Sequence, residues 1–89
     1  MNNIGGDTRE VAQHIREGIQ QRGFYVLFDQ KRFELICGNG ESSLRTKQER
    51  IHAFAHRHGW QVHTRHGVTT ALFIPLDDNE NHLPKQFNL

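Results

Sequence analysis

The stretch Arg57-His58-Gly59-Trp60-Gln61-Val62 predicts a helix that ends on a glycine and continues directly into a β-strand. Basic residues favour the negative C-terminal end of a helix dipole, and glycine readily adopts the left-handed conformation in which many helices end. An earlier stretch, Gln21-Arg22-Gly23-Phe24-Tyr25-Val26, places the same kinds of residue in the same order. Two copies with matching flanks predict a fold built from two helix–strand units.

Length, charge and cysteine content limit the class of protein. The chain has 89 residues, of which 35% are hydrophobic, and its formal net charge is +1. This length predicts one domain with a small core, which a second subunit could supplement. Charges of both signs are mixed along the chain, whereas a dedicated nucleic-acid binder normally has a strongly basic face. A single cysteine excludes an internal disulfide and favours the cytoplasm. We expect no membrane partner, because no segment has the apolar length of a span and the N-terminal residues lack a signal peptide's apolar region.

One amphipathic helix is predicted in each unit. The first starts at Asp7, which forms a capping-box pattern with Glu10 and follows a tail at residues 1–6 that we expect to be flexible. The second starts between Ser43 and Lys47. Each helix has one apolar stripe at helical spacing. The stripes consist of Val11, Ala12, Ile15, Gly18 and Ile19 in the first helix and of Leu44, Ile51, Phe54 and Ala55 in the second.

A β-hairpin is predicted after the first helix. Residues 24–28 are aromatic and β-branched, which is typical of a strand, and residues 33–37 form the return strand. Residues 29–32 form the turn between them. With Phe28 opposite Phe33, one face of this hairpin is wholly apolar, and that face fixes the register.

A second hairpin is predicted after the second helix. The strand at residues 60–65 is joined to a strand at residues 68–74 by the two-residue loop His66-Gly67, in which glycine supplies a positive φ. This loop length pairs Trp60 with Phe73 and Val62 with Ala71. Pro75 ends the ladder, since it cannot donate a hydrogen bond to a neighbouring strand.

Together these elements predict an α+β fold of two layers with the order αββαββ. Two helices would cover one face of a four-stranded antiparallel sheet, and residues 7–75 would form a single domain. That domain would be an internal repeat of two αββ units, residues 7–37 and 43–75, followed by a C-terminal tail at residues 76–89.

The face of the sheet away from the helices is the predicted partner-binding surface. Because two helices can cover only one face, the other must meet water or a partner, and a contiguous apolar patch on a surface commonly marks an interface. We expect the occupant to be a second copy of the chain or another protein. The alternative is that Leu83, Phe87 and Leu89 of the C-terminal tail fold back onto it. The partner-binding residues would be Tyr25, Leu27, Ile36, His63, Arg65, Leu72 and Ile74.

No catalytic, cofactor or metal site is predicted. His52 and His56 have the helical spacing of metal ligands, but no carboxylate or cysteine is placed to complete a site. Cys37 ends a core strand, without the nearby base and exposure that a nucleophile needs. The stretch Gly38-Asn39-Gly40 lacks the lysine, the hydroxyl and the remaining glycines of phosphate-binding loops.

Residues 47–75 resemble the opening of HicA-type toxins, small ribonucleases that begin with a helix, a Gly-Trp or Gly-Phe pair and a hairpin ending near a proline. The resemblance covers about a third of the chain. The catalytic histidine of that family, in a Gly-Ser-His pattern, has no counterpart in Gly67-Val68-Thr69-Thr70. We therefore assign neither the family nor its ribonuclease activity.

The sequence thus favours a small non-catalytic protein-binding module, such as an adaptor, inhibitor or regulator of a larger complex, acting as a homodimer. The alternative is a protein that binds or processes nucleic acid. Its basic residues would be Lys31, Arg32, Arg45, Lys47, Arg50, Arg57 and Arg65.

Overall fold

The fold is α+β, with three helices and one three-stranded antiparallel sheet among the residues that the structure describes. A computed structural model of the chain describes residues 4–38, 43–65 and 70–77. The predicted four-stranded sheet is therefore wrong, whereas the α+β class is right. The elements are α1 (Ile4–Arg22), β1 (Tyr25–Leu27), α2 (Gln30–Cys37), α3 (Leu44–Arg57), β2 (Trp60–Arg65) and β3 (Thr70–Pro75).

Both helix–glycine–strand junctions are confirmed. Gly23 and Gly59 have φ angles of +91° and +81°, the left-handed region that favours glycine. The N–H of Gly23 donates to the carbonyl oxygen of Ile19 at 2.8 Å, and the N–H of Gly59 donates to that of His56 at 3.1 Å. A Cβ at either glycine would meet nothing within 4 Å. The requirement for glycine at these two positions is thus one of backbone conformation.

The predicted start is confirmed for α3 but not for α1. α3 begins at Leu44 with Ser43 as its N-cap, inside the predicted range, and the Ser43 side chain accepts from the N–H of Thr46 at 3.1 Å. α1 begins at Ile4, three residues before the predicted cap Asp7. None of the helices in the described part of the chain combines the length and the apolar character that crossing a bilayer requires.

The largest correction concerns residues 30–37, which form helix α2 and not a return strand. The Asp29 side chain caps this helix, accepting from the N–H of Lys31 at 2.9 Å and from that of Arg32 at 3.5 Å. Gly38 ends it with a φ of +84° and an N–H that donates to the carbonyl oxygen of Glu34 at 2.8 Å. The predicted αββαββ order and the internal repeat of two αββ units are therefore wrong.

The physical reason is that the segment contains two apolar patterns. Phe33, Leu35 and Cys37 alternate as in a strand, but Phe33, Ile36 and Cys37 are also spaced as on one face of a helix. The structure buries the helical set: Phe33 and Cys37 are buried and Ile36 is half-buried, whereas Leu35 points outward. Good helix-forming residues and the Asp29 cap favour the same outcome.

In place of that hairpin, β1 pairs with β3, and the sheet has the order β1-β3-β2. Tyr25 lies opposite Phe73 and Leu27 opposite Ala71. The last strand of the sheet in sequence is thus its central strand, between two edge strands that come earlier in the chain.

The second hairpin is present, but its register differs from the prediction by two residues. Val62 lies opposite Phe73, and Arg65 lies opposite Thr70. The predicted loop His66-Gly67 lies outside the described residues. A shift of two residues keeps every side chain on its predicted face, because side chains alternate with a period of two.

The core lies between the three helices and one face of the sheet, the helix-covered face. Its centre is an aromatic cluster in which the rings of Phe54, Trp60 and Phe73 lie 6.0–6.4 Å apart between centroids. The Phe73 ring packs edge-to-face against the other two, which is favourable beyond the area it buries. The buried members of the core are Val11, Ala12, Ile15, Leu27, Phe33, Cys37, Ile51, Phe54, Ala55, Trp60, Val62, Ala71 and Phe73.

Removal of the α2 cap gives a direct test of this helix. We expect Asp29→Ala to lower the free energy of unfolding by about 0.5–2 kcal/mol, the usual cost of losing a helix N-cap. Asp29→Asn should retain most of that stability, because the asparagine side chain also accepts at this position. Urea denaturation followed by circular dichroism measures both. Equal losses in the alanine and asparagine variants would contradict a capping role for Asp29.

Candidate partner-binding site

Two surfaces are candidates for partner binding, and the first is the face of the sheet away from the helices, here called the second sheet face. The pairing of β1, β3 and β2 places Val26, Leu72 and His63 side by side across it. Leu72 and Ile74 form its apolar centre, with the half-buried Phe24 and Val26 packed against them. The remaining members are Gln61, His63, Arg65 and Thr70.

The structure places four of the predicted partner-binding residues together on the second sheet face: His63, Arg65, Leu72 and Ile74. The other three lie elsewhere. Tyr25 and Leu27 belong to the helix-covered face, and Ile36 lies on α2.

The misplacement of Tyr25 and Leu27 has a local cause. The predicted hairpin places Phe28 on the apolar, helix-facing side of the first strand, but Phe28 precedes the α2 cap and is 73% exposed. Tyr25 packs on α1 over Gly18, where a Cβ would overlap its ring. Leu27 is buried in the main core. Shifting the inward-facing positions by one residue exchanges the two faces of a strand.

Polar contacts fix the edge of the second sheet face. Nε2 of Gln61 donates to the carbonyl oxygens of Pro75 at 3.1 Å and Leu76 at 3.2 Å, which holds the end of β3 against β2. The Arg22 guanidinium lies 5.8 Å from the centre of the Phe24 ring. Leu72 and Ile74 are 0% exposed, so the apolar centre of this face has no accessible surface to offer a partner.

The second candidate is a groove on the helical side, formed where α1, α2 and α3 meet, here called the helical groove. It encloses a cavity of about 240 Å³. Its apolar floor includes Phe54, which is buried, and Ile36, which is half-buried, while Leu35 at the rim is 37% exposed. The complete lining is Thr8, Leu35, Ile36, Arg50, Ala53, Phe54 and Arg57.

Helical spacing explains the lining that α3 contributes. Arg50 and Arg57 are seven residues apart, and Ala53 and Phe54 lie between them at i+3 and i+4, so all four share one side of the helix. Nη1 of Arg50 donates to the carbonyl oxygen of Cys37 at 2.7 Å, which ties its guanidinium to the end of α2. The lining thus carries two permanent positive charges, and none of its described residues is acidic.

Sequence reasoning missed the helical groove because the groove exists only if residues 30–37 are helical. The pattern of Arg50, Ala53, Phe54 and Arg57 on α3 was a usable signal, since it places two cations on either side of an apolar pair. Ile36 was selected for a sheet surface and instead lines this groove.

Histidines and the single cysteine are the other residues to consider for chemistry. Among the described residues, no three histidine, cysteine or acidic side chains are grouped closely enough to hold a metal ion. Burial lowers the pKa of His52, with smaller effects from His56 and His63. Burial raises the pKa of the Cys37 thiol despite the opposing charges of Lys47 and Arg50. Cys37 is a free, buried cysteine, and its thiol is protonated at neutral pH and unsuited to nucleophilic attack.

His58 connects the end of α3 to the aromatic cluster. Its ring stacks on Trp60 with 5.0 Å between centroids and lies 4.9 Å from that of Phe54. Burial lowers the pKa of His58 below its ordinary value of 6.5, and the charges of Arg16 and Arg57 act in the same direction. The unfolded chain therefore takes up this proton more readily than the folded chain.

This difference predicts a loss of stability in mild acid. Well above pH 6.5, His58 is neutral in the folded and the unfolded chain, so its shifted pKa does not affect stability. As the pH falls from 6.5 through the lower pKa of the folded state, the unfolded chain gains the proton first, and the free energy of unfolding decreases. We expect the Tm of His58→Gln to fall less than that of the wild type between about pH 7.5 and about pH 5. The same pH dependence in His58→Gln as in the wild type would contradict the prediction.

Compared with known protein families, curated proteins and solved structures, the chain shows no significant match. Function is therefore inferred from the two surfaces. Within the described residues, the helical groove has accessible apolar and charged side chains around an open cavity.

Proposed function

We propose that the protein is a small non-catalytic protein-binding module, an adaptor, inhibitor or regulator of a larger complex, that docks its partner in the helical groove. The observation that carries the proposal is the lining of this groove, an apolar floor between the cations Arg50 and Arg57. Interface centres that combine apolar residues with arginine are typical of protein recognition.

The size of the cavity supports a protein partner over a small molecule. At about 240 Å³ it is smaller than the usual pocket for a cofactor or drug-sized ligand, which is roughly 300–1,000 Å³. A cavity of this size accepts a few side chains that project from a larger surface. The exposed Leu35 at the rim extends the apolar contact beyond the cavity.

Charge selects the chemistry of the partner. Arg50 and Arg57 favour carboxylates, and arginine can bind a carboxylate through two parallel hydrogen bonds. The best fit is therefore a segment that presents an apolar residue flanked by aspartate or glutamate. A second copy of the chain docking groove to groove would bring like charges together, which is unfavourable. Homodimer formation stays a prediction, and light scattering measures it.

The same arginines belong to the set expected for nucleic-acid binding, so the experiment must separate the two classes. The probes are a labelled acidic peptide of glutamate, leucine and phenylalanine, its glutamine-for-glutamate counterpart, and a single-stranded oligonucleotide of equal charge. Binding is measured by fluorescence anisotropy over a salt series. A phosphate-driven complex weakens steeply and linearly in log–log form as salt rises.

A matched pair of arginine variants locates the site. We expect Arg57→Gln to weaken acidic-peptide binding about tenfold, the equivalent of roughly 1.4 kcal/mol. Arg45→Gln is the control, since Arg45 is on the same helix, is 89% exposed and lies 3.6 Å from Glu49. Equal losses in both variants, binding of the oligonucleotide alone, or no binding of the acidic peptide would each refute the proposal.

The cytoplasm is part of the same proposal. Cys37 is free and buried at the end of α2, so the core retains a thiol. A reducing compartment suits a fold of this kind, because thiols there stay reduced.

A further inference from the structure

Leu72 and Ile74 are 0% exposed on the face of the sheet that no described helix covers. The helices contribute their buried residues to the main core, with Phe73 and Val62, on the opposite face. Around Leu72 and Ile74 the described neighbours are Phe24, Val26, Gln61 and His63, all half-buried. Neighbouring strands flank a central side chain but do not cap it, since side chains stand roughly perpendicular to the sheet. A further part of the molecule must therefore lie over them.

We propose that residues 78–89 of the same chain cover the second sheet face. The described chain leaves the sheet beside this face. The N–H of Leu76 donates to the carbonyl oxygen of Gly59 at 3.0 Å, and Nε2 of Gln61 donates to that of Leu76 at 3.2 Å. Gln61 is itself a member of the second sheet face, opposite Ile74. The exit point is thus held at the edge of the surface to be covered.

The length of the segment is sufficient. Residues 78–89 number twelve, so the extended chain reaches about 40 Å from its exit. β3 has six residues and is about 20 Å long. The segment can therefore turn back at Asp77 and pass both Ile74 and Leu72.

Composition selects this segment over the others that lie outside the described residues. Residues 1–3 and 39–42 supply one methionine and no other large apolar side chain, and residues 66–69 supply only Val68. Residues 78–89 contain Leu83, Phe87 and Leu89. Their polar start includes Asp78 and Glu80, which complement the positive Arg65 at the border of the face.

The direct test uses the wild-type, full-length protein in solution. We expect nuclear Overhauser contacts between the ring of Phe87 and the methyl groups of Leu72 and Ile74. In a sample mixed from differently labelled chains, these contacts should be intramolecular and independent of protein concentration. Intermolecular contacts would overturn the proposal in favour of a second copy, and the absence of any contact from residues 78–89 would overturn it outright.

Matched double variants provide an independent readout. Leu83→Ser with Phe87→Ser should shift the methyl resonances of Leu72 and Ile74 and speed amide exchange in β3. Asn79→Ser with Asn81→Ser, in the same segment, should change neither. If both double variants leave these resonances unchanged, residues 78–89 do not cover the face. The helical groove shares no lining residue with the second sheet face, so this inference and the proposed function can fail separately.

Discussion

Replacing Phe73 with alanine is expected to lower the free energy of unfolding by about 3–5 kcal/mol, the usual range for a buried phenylalanine. Phe73 is 0% exposed and lies on the central strand, opposite both Tyr25 and Val62. Its ring contacts those of Phe54 and Trp60 edge-on. The substitution therefore removes apolar burial and the centre of the aromatic cluster and leaves a cavity between α3 and the sheet.

A loss of this size is large for an 89-residue chain, because natural domains are stable by only about 5–15 kcal/mol. Chemical denaturation monitored by Trp60 fluorescence measures it, since Trp60 is the chain's one tryptophan and adjoins the site. Phe28→Ala removes the same atoms from a side chain that is 73% exposed, and it should change stability by less than about 0.5 kcal/mol. Similar losses for the two variants would mean that Phe73 is not at the core.

Ile51→Ala is expected to cost about 2–5 kcal/mol, because Ile51 is fully buried between α3 and the remaining core. The control is Leu44→Ala on the same helix. Both residues belong to the apolar stripe that the sequence predicts for α3, but Leu44 is 49% exposed at the first turn. We expect Leu44→Ala to cost less than about 1 kcal/mol.

Comparing the Ile51 and Leu44 variants distinguishes the burial that the apolar pattern predicts from the burial that the structure shows. Thermal and urea unfolding of the two variants provide the measurement. An equal cost would mean that the whole stripe is buried, as the pattern alone predicts. A ratio of several-fold would confirm that the buried part of α3 begins after its first turns.

The elements that could be predicted from sequence are those in which local signals agree. At Gly23 and Gly59 a basic residue near the helix end, a glycine and an aromatic residue all favour one junction, and the structure has both. In the second hairpin, alternation of Trp60 and Val62 with polar neighbours fixed the faces of β2 even though the register was off by two.

The elements that could not be predicted are those in which local signals compete. Residues 30–37 satisfy both a strand pattern and a helix pattern, and the choice depends on the Asp29 cap and on packing against α1 and α3. That choice then decides which strand pairs with β1 and which face Tyr25 and Leu27 occupy. One local error therefore propagated to the sheet and to three of the predicted partner-binding residues.

The candidate site was even less accessible to sequence reasoning. The helical groove brings together Thr8, Ile36 and Arg57 from three different helices. Its existence depends on how these helices pack, which no local pattern encodes. The second sheet face was partly predictable, because alternation along β2 and β3 puts His63, Arg65, Leu72 and Ile74 on one side.

The position of β3 between β1 and β2 has a consequence for biosynthesis. β1 and β2 have no sheet partner other than β3 within the described residues, and β3 is translated after both. Helices form from local contacts, but the sheet must wait until residues 70–75 have emerged from the ribosome. A nascent chain stalled before that point would carry its helices and two unpaired strands, a form suited to capture by chaperones.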